Sequence, residues 1–241
     1  MTRLTRFPAA LPLCLLVLTG TAAAHEPVAT KPAAASTKPE VQSQASQAAM
    51  TPADALERLK AGNARFVANA TKPRNWSAKV AATASGQFPF AAVLACMDSR
   101  SPIEIVFDQG IGDVFGVRVA GNIVNDDEVG SLEYAVKVGT KLIVVLGHTS
   151  CGAVKGALDG VKLGNLTSLL TKIHPAVEAA GCSDAKDETC VTHVAEKNVL
   201  QSMKEIRARS PYLAKYLDEG KVRLVGAMYD VATGKVTFLE S

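Results

Sequence analysis

Four apolar runs of strand length, separated by helical patterns, constrain the fold of this chain more than any other feature. The runs cover residues 90–95, 114–119, 141–146 and 222–228. Because each run is almost continuously apolar, we expect strands that are buried on both faces, as in parallel sheets covered by helices. Two further apolar segments flank Ala232-Thr233-Gly234 and predict a hairpin. The predicted fold class is α/β, with a mostly parallel central sheet, an antiparallel edge strand and helices on both faces.

Helical patterns fill the stretches between these runs. Apolar residues recur at helical spacing near 126–138 and in a longer stretch near 190–208. Thr51-Pro52 and Ser210-Pro211 each combine a capping hydroxyl with a proline in the first turn, which is typical of a helix start. Gly220 is placed to end the second of these helices. Alternating strands and helices agree with a parallel sheet.

The N-terminus has the layout of a secretory signal. Arg3 and Arg6 precede an apolar run, and Ala22-Ala23-Ala24 supplies the small residues that a signal peptidase reads. The apolar run is too short to span a bilayer, so we expect secretion across the inner membrane to a bacterial periplasm and no membrane span in the mature protein. The next stretch has almost nothing to bury. We therefore predict a signal peptide over 1–24, a flexible linker over 25–50 and one domain over 51–241.

The composition narrows the class of protein. With 48% hydrophobic residues in 241, the chain has room for a sizeable core, which excludes a disordered tail protein or a coiled-coil rod. Its 26 basic and 23 acidic side chains give a formal net charge of only +3. This net charge is too small to indicate a nucleic-acid partner, and we expect none.

Two of the predicted strands end in residues that can bind a metal. The first is followed by Cys96-Met97-Asp98-Ser99-Arg100 and the third by Gly147-His148-Thr149-Ser150-Cys151-Gly152. Ligands of open α/β sheets bind beyond the carboxyl ends of strands. Two thiols, an imidazole and a carboxylate suit tetrahedral zinc. Each residue alone could equally be structural, since a buried cysteine often serves as a small apolar side chain. Taken together, the two clusters favour a metal site.

These paired motifs resemble those of the β-class carbonic anhydrases. The resemblance runs from about Thr51 to the C-terminus and includes three further segments, Leu59-Lys60-Ala61-Gly62-Asn63-Ala64-Arg65-Phe66, Arg118-Val119-Ala120-Gly121-Asn122 and Ser131-Leu132-Glu133-Tyr134-Ala135-Val136. It implies one zinc ion per chain and a homodimer or homotetramer. It also implies the reversible hydration of carbon dioxide to bicarbonate and a proton, through attack of a zinc-bound hydroxide. Such an enzyme is a carbonate dehydratase, a zinc lyase.

The resemblance also assigns roles at the metal. Zinc would be held by Cys96, His148 and Cys151. In one state of the family the aspartate that matches Asp98 is a fourth ligand and leaves no room for water. In the other state it pairs with the arginine that matches Arg100, and water or hydroxide takes its place.

Further positions match the family's substrate site. Gln87 matches the glutamine that donates a hydrogen bond to substrate, which makes it a catalytic residue beside Asp98 and Arg100. Four positions match residues that line the family's pocket at a dimer interface, namely Phe115, Ala120, Tyr134 and Gly152. Ala120 is a departure, because some members place a larger aliphatic residue there.

A second departure concerns the state of the aspartate. Members that bicarbonate inhibits place tryptophan three residues before the first zinc cysteine and glycine one residue before it. This chain has Val93 and Ala95 there, and its single tryptophan is Trp76. We therefore expect the branch that stays open, with Asp98 on Arg100, although Asp98 as a fourth ligand remains an alternative.

Other functions fit parts of the same pattern. Hydrolases of carbon disulfide or carbonyl sulfide resemble the family in fold and ligand set. A non-catalytic module that senses zinc or bicarbonate is a second alternative, which Asp98, Arg100 and Gln87 argue against because a structural metal site does not need them. A thiol redox protein is disfavoured because the chain has no C-x-x-C pair.

Within the predicted domain over 51–241, two cysteines lie outside both metal motifs. Cys182 and Cys190 flank a polar stretch, 183–189. Since an exported protein enters an oxidising compartment, this pair is expected to form a disulfide, with two free thiols as the alternative.

Overall fold

The computed structural model describes residues 41–239. In this range ten α-helices span Gln44–Ala49 (α1), Pro52–Val67 (α2), Trp76–Thr83 (α3), Ile103–Val106 (α4), Asp126–Lys137 (α5), Gly152–Leu158 (α6), Gly164–Leu170 (α7), His174–Ala180 (α8), Glu188–Arg209 (α9) and Pro211–Asp218 (α10). Five strands span Ala91–Ala95 (β1), Val114–Arg118 (β2), Leu142–His148 (β3), Arg223–Tyr229 (β4) and Val236–Phe238 (β5), and a 3₁₀ turn covers Ala120–Asn122. The predicted signal peptide and residues 25–40 of the predicted linker lie outside the described residues.

The strands form one mixed sheet in the order β2-β1-β3-β4-β5. β1, β2, β3 and β4 are parallel, and β5 runs antiparallel to β4 at one edge. Ala95 at the end of β1 lies between Arg118 of β2 and Leu146 of β3. The chain therefore leaves β1 and β3 at neighbouring points of the same sheet edge.

Helices cover both faces of the sheet, which confirms the predicted fold class. Ala92 and Leu94 of β1 pack on one face with residues of α5, α6, α8, α9 and α10. Ala91, Val93 and Ala95 pack on the other face with residues of α2 and α4. Leu94 is fully buried, and burying one such side chain contributes about 1.5–3 kcal/mol. Because β1 is buried on both faces, its end is held firmly. Among residues 41–239, no helix is both long enough and apolar enough to cross a bilayer.

The helix starts follow the predicted capping chemistry. The Thr51 hydroxyl accepts a hydrogen bond from the Asp54 backbone N–H, and the Asp54 carboxylate accepts one from the Thr51 N–H. The Ser210 hydroxyl caps α10 in the same way by accepting from the N–H of Leu213. Gly220 follows α10 with a φ of 64°, a conformation that glycine adopts without strain. These ends therefore lie where the sequence places them.

The segment just before residue 51 differs from the predicted linker. α1 begins with a reciprocal cap between Ser43 and Ser46. Its Gln47 is buried and donates from Nε2 to the Pro89 carbonyl at 2.8 Å. Gln42 is also buried and accepts from Arg58. Residues 42–50 therefore pack against the domain, and their two buried side chains are polar groups held by hydrogen bonds.

Candidate metal centre

Three side chains that can bind a metal converge at the sheet edge where β1 and β3 end. Cys96 follows β1, His148 ends β3, and Cys151 precedes α6. All three are buried, and one ligand atom from each lies within 4.8 Å of the other two. The structure therefore brings together the three residues that sequence motifs single out from two separate parts of the chain.

The imidazole of His148 is oriented by its neighbour. Its Nδ1 lies 2.9 Å from the carbonyl oxygen of Thr149. A carbonyl only accepts hydrogen bonds, so the ring proton belongs on Nδ1 and Nε2 carries a free lone pair. This Nε2 is buried and makes no hydrogen bond within residues 41–239. A buried nitrogen without a partner is costly unless it has a ligand, and a metal ion would satisfy it.

The interaction between the two thiols moves their pKa values in opposite directions. The pKa of Cys96 is lowered to about 4, chiefly because the Cys151 thiol donates to its sulfur, with further help from the Gly121 N–H. The pKa of Cys151 is raised by that same hydrogen bond, by burial and by the charge of Cys96. The backbone N–H groups of Val154 and Ala153 oppose this rise. These residues fit a zinc ion, because zinc prefers thiolate and imidazole ligands. Cys96 supplies a thiolate, His148 supplies an imidazole, and Cys151 supplies a thiol that a bound cation would deprotonate.

Asp98 lies beside the cluster and is held by Arg100. Its Oδ1 accepts from the Arg100 backbone N–H and Nε, both at 2.9 Å, and its Oδ2 accepts from Nη2 at 2.8 Å. These hydrogen bonds hold the pKa of Asp98 well below its usual range. Oδ2 is also 3.9 Å from Nε2 of His148. The structure thus has the aspartate on the arginine, with one carboxylate oxygen facing the cluster.

Arg118 supports the backbone of the first motif. Its Nε donates to the Cys96 carbonyl at 3.1 Å and its Nη2 to the Asp98 carbonyl at 2.6 Å. In the sequence, Arg118 is part of the segment Arg118-Val119-Ala120-Gly121-Asn122, and no local pattern indicates this role. Because Arg118 ends β2, next to β1, it can fix the path of the chain between Cys96 and Asp98.

A tight turn after β2 supports the sulfur of Cys96. Gly121 donates its N–H to Cys96 Sγ at 3.3 Å. It has a φ of 68°, and a Cβ at this position would lie 2.7 Å from the side chain of Ile173. Two buried side chains of α9 hold the turn, because Asn198 donates to the Gly121 carbonyl at 2.7 Å and Ser202 to the Asn122 carbonyl at 2.9 Å. Polar residues four positions apart within a buried helix face were the signal that could have identified this support.

The predicted pocket residues separate into two groups. Phe115 and Tyr134 meet edge to face with ring centroids 5.9 Å apart, and both line an open groove of about 750 Å³ beside β2 and α5. Ala120 begins the 3₁₀ turn and Gly152 begins α6, and neither is among the lining residues of this groove. Gln87 is exposed in the loop before β1. The aromatic pair therefore forms the apolar part of a groove that Arg118, Asp126 and Asp127 also line.

The other two cysteines of residues 41–239 form a disulfide. Cys182 and Cys190 are bonded across the connection between α8 and α9, with their Cα atoms 5.9 Å apart. Cys96 and Cys151 are the free cysteines of residues 41–239. The disulfide therefore leaves both thiols of the cluster available for a metal.

Sequence comparisons relate the chain to one family. A family model described as carbonic anhydrase matches residues 91–236. A carbonic anhydrase of Mycolicibacterium smegmatis is 40% identical over 195 residues, which cover 77% of this chain and 92% of that protein. Carbonic anhydrase 2 of Mycobacterium tuberculosis is 38% identical over 193 residues, which cover 76% of this chain and 91% of that protein.

Comparisons with solved structures point to the same family as the sequence comparisons. A β-carbonic anhydrase of Sordaria macrospora, described as tetrameric, superposes with a TM-score of 0.60 at 29% identity and covers 66% of this chain and 84% of its own. A β-carbonic anhydrase of Aspergillus fumigatus gives a TM-score of 0.62 at 26% identity and covers 78% of this chain and 90% of its own. The family match over residues 91–236 includes β1, β2, β3 and β4 and both strand ends that carry the cluster.

Proposed function

This chain belongs to the β-class carbonic anhydrases, and from that premise we propose that it hydrates carbon dioxide reversibly at a zinc centre held by Cys96, His148 and Cys151. The observation that carries the zinc proposal is the buried Nε2 of His148, which makes no hydrogen bond within residues 41–239 and lies within 4.8 Å of both cysteine sulfurs. A purely structural histidine would use both ring nitrogens or expose one of them. One zinc ion per chain accounts for all three ligand atoms at once.

The chemistry needs a nucleophile that neutral water does not supply. A zinc ion bound here would lower the pKa of a water molecule on it, an effect for which carbonic anhydrases with three histidines are themselves the reference example. Cys96 and Cys151, as thiolates, contribute two negative charges and weaken that acidity. The chain therefore needs another residue that assists the deprotonated water, and Asp98 is the carboxylate next to the cluster.

We assign Asp98 as the hydrogen-bond acceptor for the attacking oxygen and Arg100 as the residue that holds Asp98 in place. Oδ2 of Asp98 faces the cluster, 3.9 Å from Nε2 of His148, so it can accept a hydrogen bond from the attacking oxygen. Arg100 keeps the carboxylate ionised, because its hydrogen bonds lower the pKa of Asp98. Three contacts from one arginine also fix the direction in which Oδ2 points. Asp98 thus acts as an oriented acceptor rather than as a freely rotating acid.

The apolar aromatic pair and Gln87 are assigned to the substrate. Phe115 and Tyr134 offer an apolar wall that suits an uncharged, linear molecule. Tyr134 is 55% exposed and Gln87 is exposed, which fits a site completed by a second copy of the chain. We propose a homodimer or homotetramer in which the Gln87 amide donates a hydrogen bond to an oxygen of carbon dioxide as charge develops on it.

Stopped-flow hydration of carbon dioxide by residues 25–241, run alongside zinc analysis, tests the proposal. We expect one zinc per chain and a rate that rises between about pH 6.5 and 9, as the attacking water ionises. Zinc without hydration would overturn the assignment. Hydrolysis of carbonyl sulfide or carbon disulfide by the same sample would then indicate a sulfur-substrate hydrolase, and the lack of any turnover would indicate a sensing module.

We further propose that the chain is exported to the periplasm after cleavage behind Ala24. Arg3, Arg6 and the apolar run that follows support this proposal. The Cys182–Cys190 disulfide supports it as well, because such bonds persist in oxidising compartments. The intact mass of the protein from a periplasmic fraction tests it, and a mass that still includes residues 1–24 would contradict cleavage.

A further inference from the structure

We infer that Glu188 is a positioning residue for the Asp98–Arg100 pair, that it acts through Ser150, and that the Cys182–Cys190 disulfide keeps it in place. The test by enzyme activity rests on the proposed function, because it measures hydration of carbon dioxide. A second readout, described below, does not depend on turnover.

Ser150 is the link between the two motifs. It lies between His148 and Cys151 and has a φ of 52°, a left-handed conformation that is uncommon outside glycine. Its carbonyl oxygen accepts from Nη2 of Arg100 at 3.2 Å. The same Nη2 donates to Oδ2 of Asp98 at 2.8 Å. The position of the Ser150 carbonyl therefore influences where Arg100 holds the carboxylate.

Glu188 holds Ser150 from the opposite side. Its Oε2 accepts a hydrogen bond from the Ser150 hydroxyl at 2.6 Å. Its Oε1 pairs with Lys155, on the helix that starts directly after Cys151. The Lys155 and Ser150 contacts, in that order, lower the pKa of Glu188, so it is ionised at neutral pH and accepts strongly. A continuous chain of contacts thus runs from Glu188 through Ser150 and Arg100 to Asp98.

The disulfide restrains the segment that carries Glu188. Glu188 is the first residue of α9, and Cys190 follows two residues later in the same turn, buried against the core. Cys190 is bonded to Cys182, so residues 182–190 form a closed loop. Asp187 caps the helix by accepting from the Thr189 N–H at 2.8 Å. With both ends of the loop fixed, Glu188 has few other positions to adopt.

Glu188 itself is exposed, so its replacement can be tested with little effect on the stability of the fold. Its side chain is 55% accessible, and exposed ion pairs contribute little to stability. Replacement should therefore leave the fold and the zinc ligands intact. Glu196 is a matched control on the same helix, because its side chain is 41% exposed and its ion pair is with His193 at 3.8 Å, away from the cluster.

The first test measures turnover in the zinc-loaded full chain. We expect Glu188→Ala to lower kcat about 3- to 10-fold with KM and zinc stoichiometry unchanged, a smaller effect than the loss of a residue in direct contact with a metal ligand. Ser150→Ala should cost about as much, and the double variant little more, because both act on one contact. Glu188→Gln, which keeps an acceptor oxygen, should recover part of the rate. The variant with Cys182→Ser and Cys190→Ser should show part of the loss.

The second test follows Arg100 directly by NMR of arginine Nε–H groups in the zinc-loaded chain, with the signal assigned through Arg100→Lys. We expect Glu188→Ala to shift or broaden the Arg100 signal and Glu196→Ala to leave it unchanged. An unchanged Arg100 signal in Glu188→Ala overturns the inference. So does a kcat within about 1.5-fold of wild type, or an equal loss in Glu196→Ala. If the wild type does not hydrate carbon dioxide, the proposed function fails while the NMR result still decides on the positioning role.

Discussion

Replacing Asp98 by asparagine removes the negative charge and one acceptor oxygen of the carboxylate but keeps the size and shape of the side chain. The carboxylate makes three contacts with Arg100, two through Oδ1 and one through Oδ2. An asparagine oxygen can keep the two contacts at Oδ1. Its NH₂ group would then stand at the Oδ2 position, where it faces Nη2 of Arg100 as a second donor. At that position the NH₂ group cannot accept a hydrogen bond from the attacking oxygen, so the variant loses the assigned function of Asp98.

The expected loss is large because Oδ2 is the acceptor that faces the cluster. Removing one preorganised hydrogen-bonding group that acts on the reacting atoms costs about 100- to 1,000-fold in kcat. We expect kcat of Asp98→Asn to fall by at least about 100-fold. Zinc should remain at one per chain, because Cys96, His148 and Cys151 are unchanged.

The assay is stopped-flow hydration of carbon dioxide together with metal analysis of the same sample. Asp159→Asn is the matched control, since this exposed aspartate follows α6 and is not part of the cluster. Activity of Asp98→Asn within about threefold of wild type, with zinc retained, would refute the role of the carboxylate. Loss of zinc together with activity would instead identify Asp98 as a ligand and contradict the open site.

Three further variants test the metal set, the buried ion pair of the fold and the support from α9. His148→Ala should lose zinc and activity together, measured by metal analysis and hydration rate, and a zinc content that stays at one per chain would contradict the ligand assignment. The pKa of Asp108 is lowered, since hydrogen bonds from Arg74 and Arg65 outweigh its burial. Its carboxylate therefore stabilises the fold above the usual aspartate pKa of about 4 and loses this effect as pH falls towards the lowered value. Asp108→Asn should cost about 1–3 kcal/mol in urea unfolding at pH 7 and less at acid pH, and a pH-independent cost would be contrary to this reasoning. Asn198→Ala should cost about 1–3 kcal/mol and weaken zinc binding in a chelator competition, because it leaves a buried carbonyl of the turn after β2 without its donor. Unchanged zinc affinity would remove Asn198 from the support of the site.

The sheet and the three converging residues could be predicted because their signals are local. Strands buried on both faces are continuously apolar, so the observed β1, β2, β3 and β4 lie within one or two residues of the predicted runs. Parallel strands end at one edge, which predicts that the residues after β1 and β3 meet there. Cys96, His148 and Cys151 do meet, since β1 and β3 are neighbours.

The remaining features depend on contacts that no local pattern marks. α1 is rich in glutamine, serine and alanine, and its Gln47 is buried through a hydrogen bond to Pro89, 42 residues away. Asn198 reaches the carbonyl of Gly121 across 77 residues of sequence. Glu188 looks like an ordinary charged residue at a helix start until the fold places it against Ser150. Polar supports of this kind become visible only when the elements are packed together.

X-ray absorption at the zinc edge of the purified full chain near pH 8 identifies the metal ligands. We expect a first shell of two sulfur atoms at about 2.3 Å and two nitrogen or oxygen atoms at about 2.0–2.1 Å. We also expect Asp98→Asn to keep this shell, because the fourth position belongs to water. A shell with fewer than two sulfur atoms would contradict the assignment of Cys96 and Cys151. The loss of one oxygen neighbour in Asp98→Asn would place Asp98 on the metal and contradict the open site.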